Sequence, residues 1–171
     1  MLISFQHLSV RKGKRMLTIH RPGQEPLEIE SILIDFEGTL AFDRRVHPKA
    51  KDKINLLSKR TRICILTRGE REVAEEVLRK VKAEIVYLNE GESSAQKLER
   101  LRQSGERRTV VIGNSADDAS FLEKAGLGIC VVGKEGASGE ALRNADLVFT
   151  SVLDALDFLL KPLRQKATLG I

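Results

Sequence analysis

The chain has 171 residues, a formal net charge of +5, 42% hydrophobic residues and 31% charged residues. This length predicts one domain with a single buried core, and no apolar run approaches the ~20 residues of a membrane span. The first eight residues lack a basic start and are interrupted by polar residues, so we expect no signal peptide, no membrane partner and a cytoplasmic location.

The two cysteines, Cys64 and Cys130, both lie inside apolar runs. Small buried side chains of this kind usually serve packing. The sequence contains no Cys-x-x-Cys spacing, which argues against a structural zinc site.

Positive charge is concentrated in the first 62 residues, which hold 13 Lys and Arg against 7 Asp and Glu. The basic runs at 11–15 and 59–62 are features that nucleic-acid-binding proteins share. No aromatic residues alternate with these charges, as single-strand binding would require, so we favour a solvated surface. Nucleic acid is therefore an unlikely partner.

A β-hairpin extension is predicted over residues 16–30. Residues 16–20 and 26–30 alternate apolar with polar side chains, and the segment between them contains Pro22 and Gly23, which favour a turn. Residues 1–15 are less periodic. They fit a further strand, a loose arm or an upstream extension before a start at Met16.

From residue 31 onward, apolar runs alternate with amphipathic segments. The runs predict six buried strands, at 31–35, 62–67, 84–88, 109–113, 127–132 and 147–149. Helices are predicted near Pro48, Glu70, Ser93, Phe121, Ser138 and Ser151. Ser93 to Gln96 suggests a capping box, and Pro162 is expected to end the last helix.

Regular alternation of strands and helices predicts a central parallel sheet covered on both faces. The fold class is therefore α/β, a three-layer sandwich of Rossmann type, in one domain of residues 1–171 whose core is 31–160. Asp35, Thr67 and Lys97 are separated by 32 and 30 positions, which leaves no room for an inserted cap domain.

Polar groups able to do chemistry follow the carboxyl ends of several predicted strands, where open α/β sheets place their ligand sites. They are Asp35, Glu37, Thr67, Asn114, Asp117 and Asp118, and Lys97 stands in the first turn of a helix. Carboxylates, a hydroxyl and a Lys are the set that phosphoryl transfer requires, because catalysis there is mostly positioning and charge neutralisation around Mg²⁺.

Residues 35–40, Asp-Phe-Glu-Gly-Thr-Leu, resemble the first motif of the haloacid dehalogenase (HAD) superfamily, Asp-x-Asp-Gly-Thr. Residues 63–67 resemble its second motif, Lys97 its third and residues 113–118 its fourth, in the expected order. From Met16 onward the chain is similar to small soluble phosphatases related to the phosphorylation domain of P-type ATPases. The resemblance implies a capless, Mg²⁺-dependent phosphatase that cleaves phosphomonoesters through an aspartyl-phosphate.

Carried over to this sequence, the resemblance implies Asp35 as nucleophile, Glu37 as general acid and base, and Lys97 as the neutralising cation. Thr67 would hold a phosphoryl oxygen. The implied substrate contacts are Gly38, Thr67, Arg68 and Lys97, and the implied metal ligands are Asp35, Glu37 through its backbone carbonyl, Asn114 and Asp118.

Two positions depart from the family pattern, because Glu37 replaces the second Asp and Asn114 begins the fourth motif. They support an alternative, a catalytically weakened binding or regulatory module with the same fold. A phosphate-receiving signalling domain is rejected, because its phosphorylated Asp would end the third strand, where this chain has Leu88-Asn89-Glu90. An open site would take a large substrate or borrow walls from a second subunit, with the hairpin as the expected contact, so a homo-oligomer is possible.

Overall fold

The computed structural model describes residues 16–170; the alternatives for residues 1–15 lie outside the described residues. The strands are β1 (Leu17–Arg21), β2 (Gln24–Ile29), β3 (Ser31–Asp35), β4 (Ala41–Phe42), β5 (Arg45–Val46), β6 (Arg62–Thr67), β7 (Glu84–Tyr87), β8 (Thr109–Gly113), β9 (Leu127–Val131) and β10 (Leu147–Phe149). Six of them form a parallel sheet in the order β10-β9-β8-β3-β6-β7.

The helices are α1 (Pro48–Leu57), α2 (Arg71–Val77), α3 (Ser93–Ser104), α4 (Ala119–Lys124), α5 (Gly139–Asn144), α6 (Val152–Leu160) and α7 (Pro162–Leu169). None of the helices within residues 16–170 is long and apolar enough to cross a membrane.

Strand β3 lies in the centre of the sheet, and all five of its residues are buried. Its side chains alternate between two cores, as the period of a β-strand requires. Ile32 and Ile34 pack in the core that includes α1 and α6, whereas Leu33 packs in the core that includes α3, α4 and α5. The predicted three-layer sandwich is thus confirmed.

Both cysteines belong to the buried set, as expected from their apolar neighbours. Burial raises the pKa of the Cys64 and Cys130 thiols to about 11. Since the thiolate is the reactive form, these side chains act as packing groups near neutral pH.

The predicted capping box at the start of α3 is wrong. The N-cap of α3 is Glu92 and no side chain caps this helix end, so Ser93 to Gln96 is not a capping box. The predicted end of α6 is confirmed, since this helix stops at Leu160, but α6 is not the last helix. Pro162 also begins α7, because proline fits the first turn of a helix, where its missing N–H has no partner to lose. The predicted cap of α6 is confirmed, since the Ser151 side chain accepts a hydrogen bond from the Leu153 amide at 3.1 Å.

The predicted β1–β2 hairpin is present, and its apolar side chains Leu17, Ile19, Leu27 and Ile29 are buried in the chain's own core. The hairpin leads directly into the amino end of β3. At this junction the Glu30 amide donates a hydrogen bond to the Arg108 carbonyl at 2.9 Å. The hairpin therefore lies at the edge opposite Asp35. Its contact with a second subunit stays a prediction.

A second, shorter hairpin, β4–β5, follows the first motif and was not predicted. Its strands have only two residues each, and its turn residues Asp43 and Arg44 have φ of 50° and 57°. Turns of this kind usually carry Asn and Gly, so the sequence lacks their usual signal. The Phe42 ring packs on Gly133, where an added Cβ would lie 2.5 Å from Phe42 Cζ.

An ion pair between Lys53 of α1 and Asp157 of α6 joins these two helices, and Lys161, just after α6, also pairs with Asp157. Its carboxylate accepts hydrogen bonds from Lys53 Nζ and, at 3.0 Å, from Lys161 Nζ. Burial alone would raise the pKa of Asp157, but the hydrogen bonds from both lysines outweigh it and hold the pKa below its ordinary value. The charged form of Asp157 therefore stabilises the fold.

We expect Asp157→Asn to lower the free energy of unfolding by about 1–2 kcal/mol at neutral pH, because charge-assisted hydrogen bonds are lost. The folded-state pKa is depressed, so this stabilisation is present above the unfolded value of about 3.9 and is lost as pH falls through the folded-state pKa. Urea unfolding of both proteins at neutral and acidic pH measures the difference. Asp52→Asn, at an exposed position on α1, is the control for the loss of one negative charge; an equal loss in both variants would contradict the prediction.

Candidate active site

The centre of the site is Lys97, which lies in the first half of α3 and is 1% exposed. Its Nζ donates to Asp35 Oδ1 at 2.7 Å and to Asp118 Oδ1 at 2.6 Å. Burial alone would lower the pKa of Lys97, but the two carboxylates together outweigh burial and the pKa is raised. The lysine is therefore a permanent positive charge between two buried acids.

Asp35 ends β3 and is 4% exposed. Burial, and then the charge of Asp118, raise the pKa of Asp35 to about 7, although Lys97 lowers it and Glu37 adds a smaller increase. One nearby cation is thus insufficient to restore the ordinary acidity of this carboxyl group. A further cation at this position would favour the charged form.

Thr39 connects Asp35 to the fourth motif. Its hydroxyl lies 3.1 Å from Asp35 Oδ2 and 3.0 Å from Asn114 Oδ1. A hydroxyl has one proton, so it satisfies only one of these two oxygens at a time. At the carboxyl end of β3, Asp35 Oδ2 and Asn114 Oδ1 therefore share a single hydrogen-bond donor, the Thr39 hydroxyl. Our sequence analysis assigned no role to Thr39, although it stands inside the first motif.

Asp118 is fully buried, and both of its oxygens are occupied. Oδ1 accepts from Lys97, while Oδ2 accepts from the amides of Asn114 and Ser115 at 2.9 and 3.0 Å and from the Ser115 hydroxyl at 3.0 Å. Gly113 leaves space for this carboxylate, since an added Cβ would lie 2.6 Å from Asp118 Cγ. In this arrangement Asp118 anchors Lys97 and the loop, and its predicted metal contact stays a prediction.

Glu37 reaches across to the loop that follows β6. Its carboxylate accepts from the Thr67 hydroxyl, from the Gly69 amide at 3.0 Å and from the Arg68 amide at 3.3 Å. The Thr67 hydroxyl and the Arg68 amide are donors that the family resemblance assigns to phosphoryl oxygens. The Gly38 amide, a third such donor, instead donates to the Ala41 carbonyl at 3.0 Å.

Asp117 ties three motifs together. Its Oδ2 accepts from Arg68 Nη1 at 3.2 Å and from the Ser93 hydroxyl at 2.5 Å. Through these bonds the loop after β6, the start of α3 and the loop after β8 share one carboxylate. The spacing of Asp117 from the other motifs carries no signal of this role, because its partners are distant in the chain.

The eight residues predicted for the site all lie at the carboxyl edge of the sheet, in two groups. Asp35, Lys97, Asn114 and Asp118 form the buried group, and Glu37, Gly38, Thr67 and Arg68 border an open cavity of about 500 Å³. Gly69, also on this cavity, was not predicted.

The donor atoms of the buried group suit a hard divalent cation. Asp35 Oδ2 and Asn114 Oδ1 converge on one hydroxyl, and carboxylate and amide oxygens are ligands that Mg²⁺ accepts. Within residues 16–170 no three His, Cys, Asp or Glu side chains are grouped as a metal centre. Such a small set still fits Mg²⁺, which usually keeps several waters and uses substrate phosphate oxygens as ligands.

We expect Lys97→Met to lower the free energy of unfolding by about 3 kcal/mol in the presence of a chelator, because two buried carboxylates lose their shared cation. Chemical denaturation measures this change. Lys124→Met, at an exposed position on α4, is the matched control and should change stability by less than about 0.5 kcal/mol. Equal effects of the two substitutions would show that the buried ion pairs do not stabilise the fold.

No protein-family model matches the sequence. An uncharacterised protein of Methanocaldococcus jannaschii is 42% identical over 72 residues, which are 42% of this chain and 77% of that protein. A Legionella pneumophila protein described as a hydrolase of HAD subfamily III A has a TM-score of 0.65 at 19% identity, covering 83% of this chain and 87% of its own.

Two sugar-phosphate phosphatases are similar in structure. The 3-deoxy-D-manno-octulosonate 8-phosphate phosphatase of Moraxella catarrhalis, solved with magnesium, phosphate and its sugar, has a TM-score of 0.63 at 14% identity and covers 83% of this chain and 92% of its own. The corresponding enzyme of Haemophilus influenzae, solved with cobalt, has a TM-score of 0.64 at 14% identity and covers 83% and 86%. At these identities the similarity concerns the fold alone, which this chain shares with the Legionella pneumophila hydrolase and with the two phosphatases.

Proposed function

We propose that this chain is a Mg²⁺-dependent phosphohydrolase that cleaves phosphomonoesters through an aspartyl-phosphate on Asp35. The observation that carries the proposal is the fixed position of this carboxylate, with one oxygen held by Lys97 at 2.7 Å and the other by Thr39 at 3.1 Å. A nucleophile already held in place needs little reorganisation before attack. Fold neighbours that are phosphatases, one of them solved with magnesium and phosphate, support the reaction type.

Mg²⁺ would be held by Asp35, by Asn114 and by the backbone carbonyl of Glu37, with Asp118 behind them. When bound, it would neutralise phosphoryl oxygens and so reduce their repulsion from the Asp35 carboxylate. Lys97 contributes a second positive charge beside Asp35, fixed by its bond to Asp118.

In the first half-reaction an oxygen of Asp35 attacks phosphorus, and the bond from phosphorus to the leaving oxygen breaks. Glu37 gives that oxygen a proton, so the product leaves as a neutral alcohol. In the second half-reaction Glu37 takes a proton from water as the water attacks phosphorus. The bond between phosphorus and Asp35 breaks, and inorganic phosphate and the free carboxylate are formed.

Phosphoryl oxygens would be held by Thr67 and by the amides of Arg68 and Gly69. All three donors bond to Glu37 in this structure. Glu37 must therefore turn away before a phosphoryl group can occupy the cavity. The longer side chain that reaches these donors is thus both the acid and base of the reaction and a competitor of the substrate.

We expect Asp35→Asn to abolish hydrolysis of p-nitrophenyl phosphate, because the amide keeps the shape of the side chain but is not a nucleophile. A chelator should abolish the activity of the wild type, and added Mg²⁺ should restore it. Asp52→Asn, an exposed position on α1, is the control for the loss of one negative charge. Equal rates in the wild type and Asp35→Asn would overturn the assignment of the nucleophile.

A second expectation concerns Glu37→Asp, whose shorter side chain should release Thr67 and Gly69 for the phosphoryl group. We expect kcat to rise by about tenfold, which corresponds to roughly 1.4 kcal/mol, and the affinity for Mg²⁺ to stay the same because only a backbone carbonyl would contact the metal. Steady-state kinetics over a range of Mg²⁺ concentrations measures both. A lower rate in Glu37→Asp, or a rate unaffected by Glu37→Gln, would show that this account of Glu37 is wrong.

The occupied donors also favour a second candidate, a regulatory or binding module with little turnover. In that case Glu37 would keep the phosphoryl site closed, and phosphorylated compounds would bind weakly without hydrolysis. A screen of phosphomonoesters for released phosphate separates the two candidates. The closer relation to P-type-ATPase-like phosphatases and a homo-oligomeric state stay predictions.

A further inference from the structure

The open cavity of about 500 Å³ that Glu37, Thr67 and Arg68 border is called the catalytic cavity. A second cavity of about 790 Å³ borders the β4–β5 hairpin next to it, and we call this second cavity the basic groove. Its lining includes Phe42, Arg45, His47, Lys134, Thr150 and Ser151. Asp43, at the hairpin tip, lines both cavities. Neighbouring hairpin residues divide between them, since Arg44 lines the catalytic cavity and Arg45 lines the basic groove.

The turn at residues 133–136, on the other side of the two cavities from the hairpin, also has neighbouring residues that line different cavities. A turn closes with a 3.0 Å hydrogen bond from the Gly136 amide to the Gly133 carbonyl, and its two central residues separate. Lys134 lines the basic groove, whereas Glu135 lines the catalytic cavity and reaches within 2.7 Å of a Cβ placed on Gly38. Adjacent residues facing different cavities show that the two spaces lie side by side.

The two cavities differ in charge. The catalytic cavity has four acidic residues, Glu37, Asp43, Glu70 and Glu135, against two basic residues, Arg44 and Arg68. The basic groove has Arg45 and Lys134 with one acid, Asp43, and a histidine. An anion outside the reacting phosphate is therefore repelled by the first lining and attracted by the second.

The cationic side chains of the basic groove are exposed and available. Neither Arg45 nor Lys134 makes an ion pair or hydrogen bond through its side chain with any residue in the range 16–170. Helix α6 also begins at this groove, after Ser151, but Asp154 in its first turn offsets the positive end of its dipole, so the positive potential comes from the side chains. Two cations that have no side-chain partner among residues 16–170, one on β5 and one in the turn at 133–136, thus line one cavity beside the proposed reaction centre.

We propose that the basic groove binds a second anionic group of the substrate, so that the preferred substrate is a small phosphomonoester that also carries a phosphate or a carboxylate. This inference rests on the proposed function, because it places the reacting phosphate in the catalytic cavity. The Arg45 guanidinium can bind either anion through two parallel hydrogen bonds, and Lys134 adds a point charge. The hairpin and the turn at residues 133–136 then act as the two walls that select the substrate.

The test uses alkyl phosphates of increasing chain length whose far end is a phosphate, a carboxylate or a hydroxyl group. We expect kcat/KM of the wild type to be about tenfold higher for an anionic end than for a hydroxyl end at a favoured length. In the double variant Arg45→Ala and Lys134→Ala this preference should disappear, while the rate with p-nitrophenyl phosphate stays the same. The control is Arg107→Ala with Lys124→Ala, which removes two exposed positive charges elsewhere. Whichever anionic end is preferred identifies the second group.

Failure of the two proposals can be distinguished. If the wild type hydrolyses none of these compounds, the proposed function is wrong, and calorimetric binding of the same compounds still tests the basic groove. Tighter binding of the anionic ends that is lost only in Arg45→Ala with Lys134→Ala supports the groove. Equal binding or turnover for all three ends, or an equal loss in the control variant, overturns it.

Discussion

The interaction on which the site depends is the placement of Lys97 between Asp35 and Asp118, all of them buried. An uncompensated charge in such a place costs several kcal/mol, so each of these groups requires the others. Asp35 ends the central strand, Lys97 comes from α3 and Asp118 from the loop after β8. Three segments that are distant in the chain therefore meet at Lys97, and the remaining polar groups of the site lie around this contact.

Around these two buried ion pairs, the polar residues of the candidate site lie at the carboxyl edge of the sheet, whereas the amino edge is covered by apolar packing. The β1–β2 hairpin buries its apolar side chains at the amino edge and contributes nothing to the cavity lining. At the carboxyl edge, Thr39 and Asp117 connect neighbouring loops through single polar atoms. A loop held at both ends in this way keeps its donors in place without a covering domain.

The extra methylene of Glu37, compared with an Asp at this position, changes the hydrogen bonds of the candidate site. An Asp at this position would be about 1.5 Å shorter, and Glu37 uses the extra length to bond to Thr67 and Gly69. The hydrogen-bond donors of Thr67 and Gly69 are therefore already satisfied by Glu37. In the proposed reaction, a phosphoryl group would exchange one set of hydrogen bonds for another, and its affinity would depend on the difference in free energy between them.

The sequence by itself determined the layers of the fold and the residue types of the site, because apolar runs such as residues 32–34 fit only a buried strand and strand ends lie at one edge. It did not reveal β4–β5, whose turn at Asp43 and Arg44 lacks Gly and Asn, or the true role of Ser93, whose hydroxyl binds Asp117 instead of capping α3. Only the tertiary structure decided that both Asp118 oxygens are occupied, that Glu37 bonds to Thr67, and that Arg45 and Lys134 face one groove. These facts depend on side-chain directions from segments far apart in the chain, and local sequence patterns do not encode such directions.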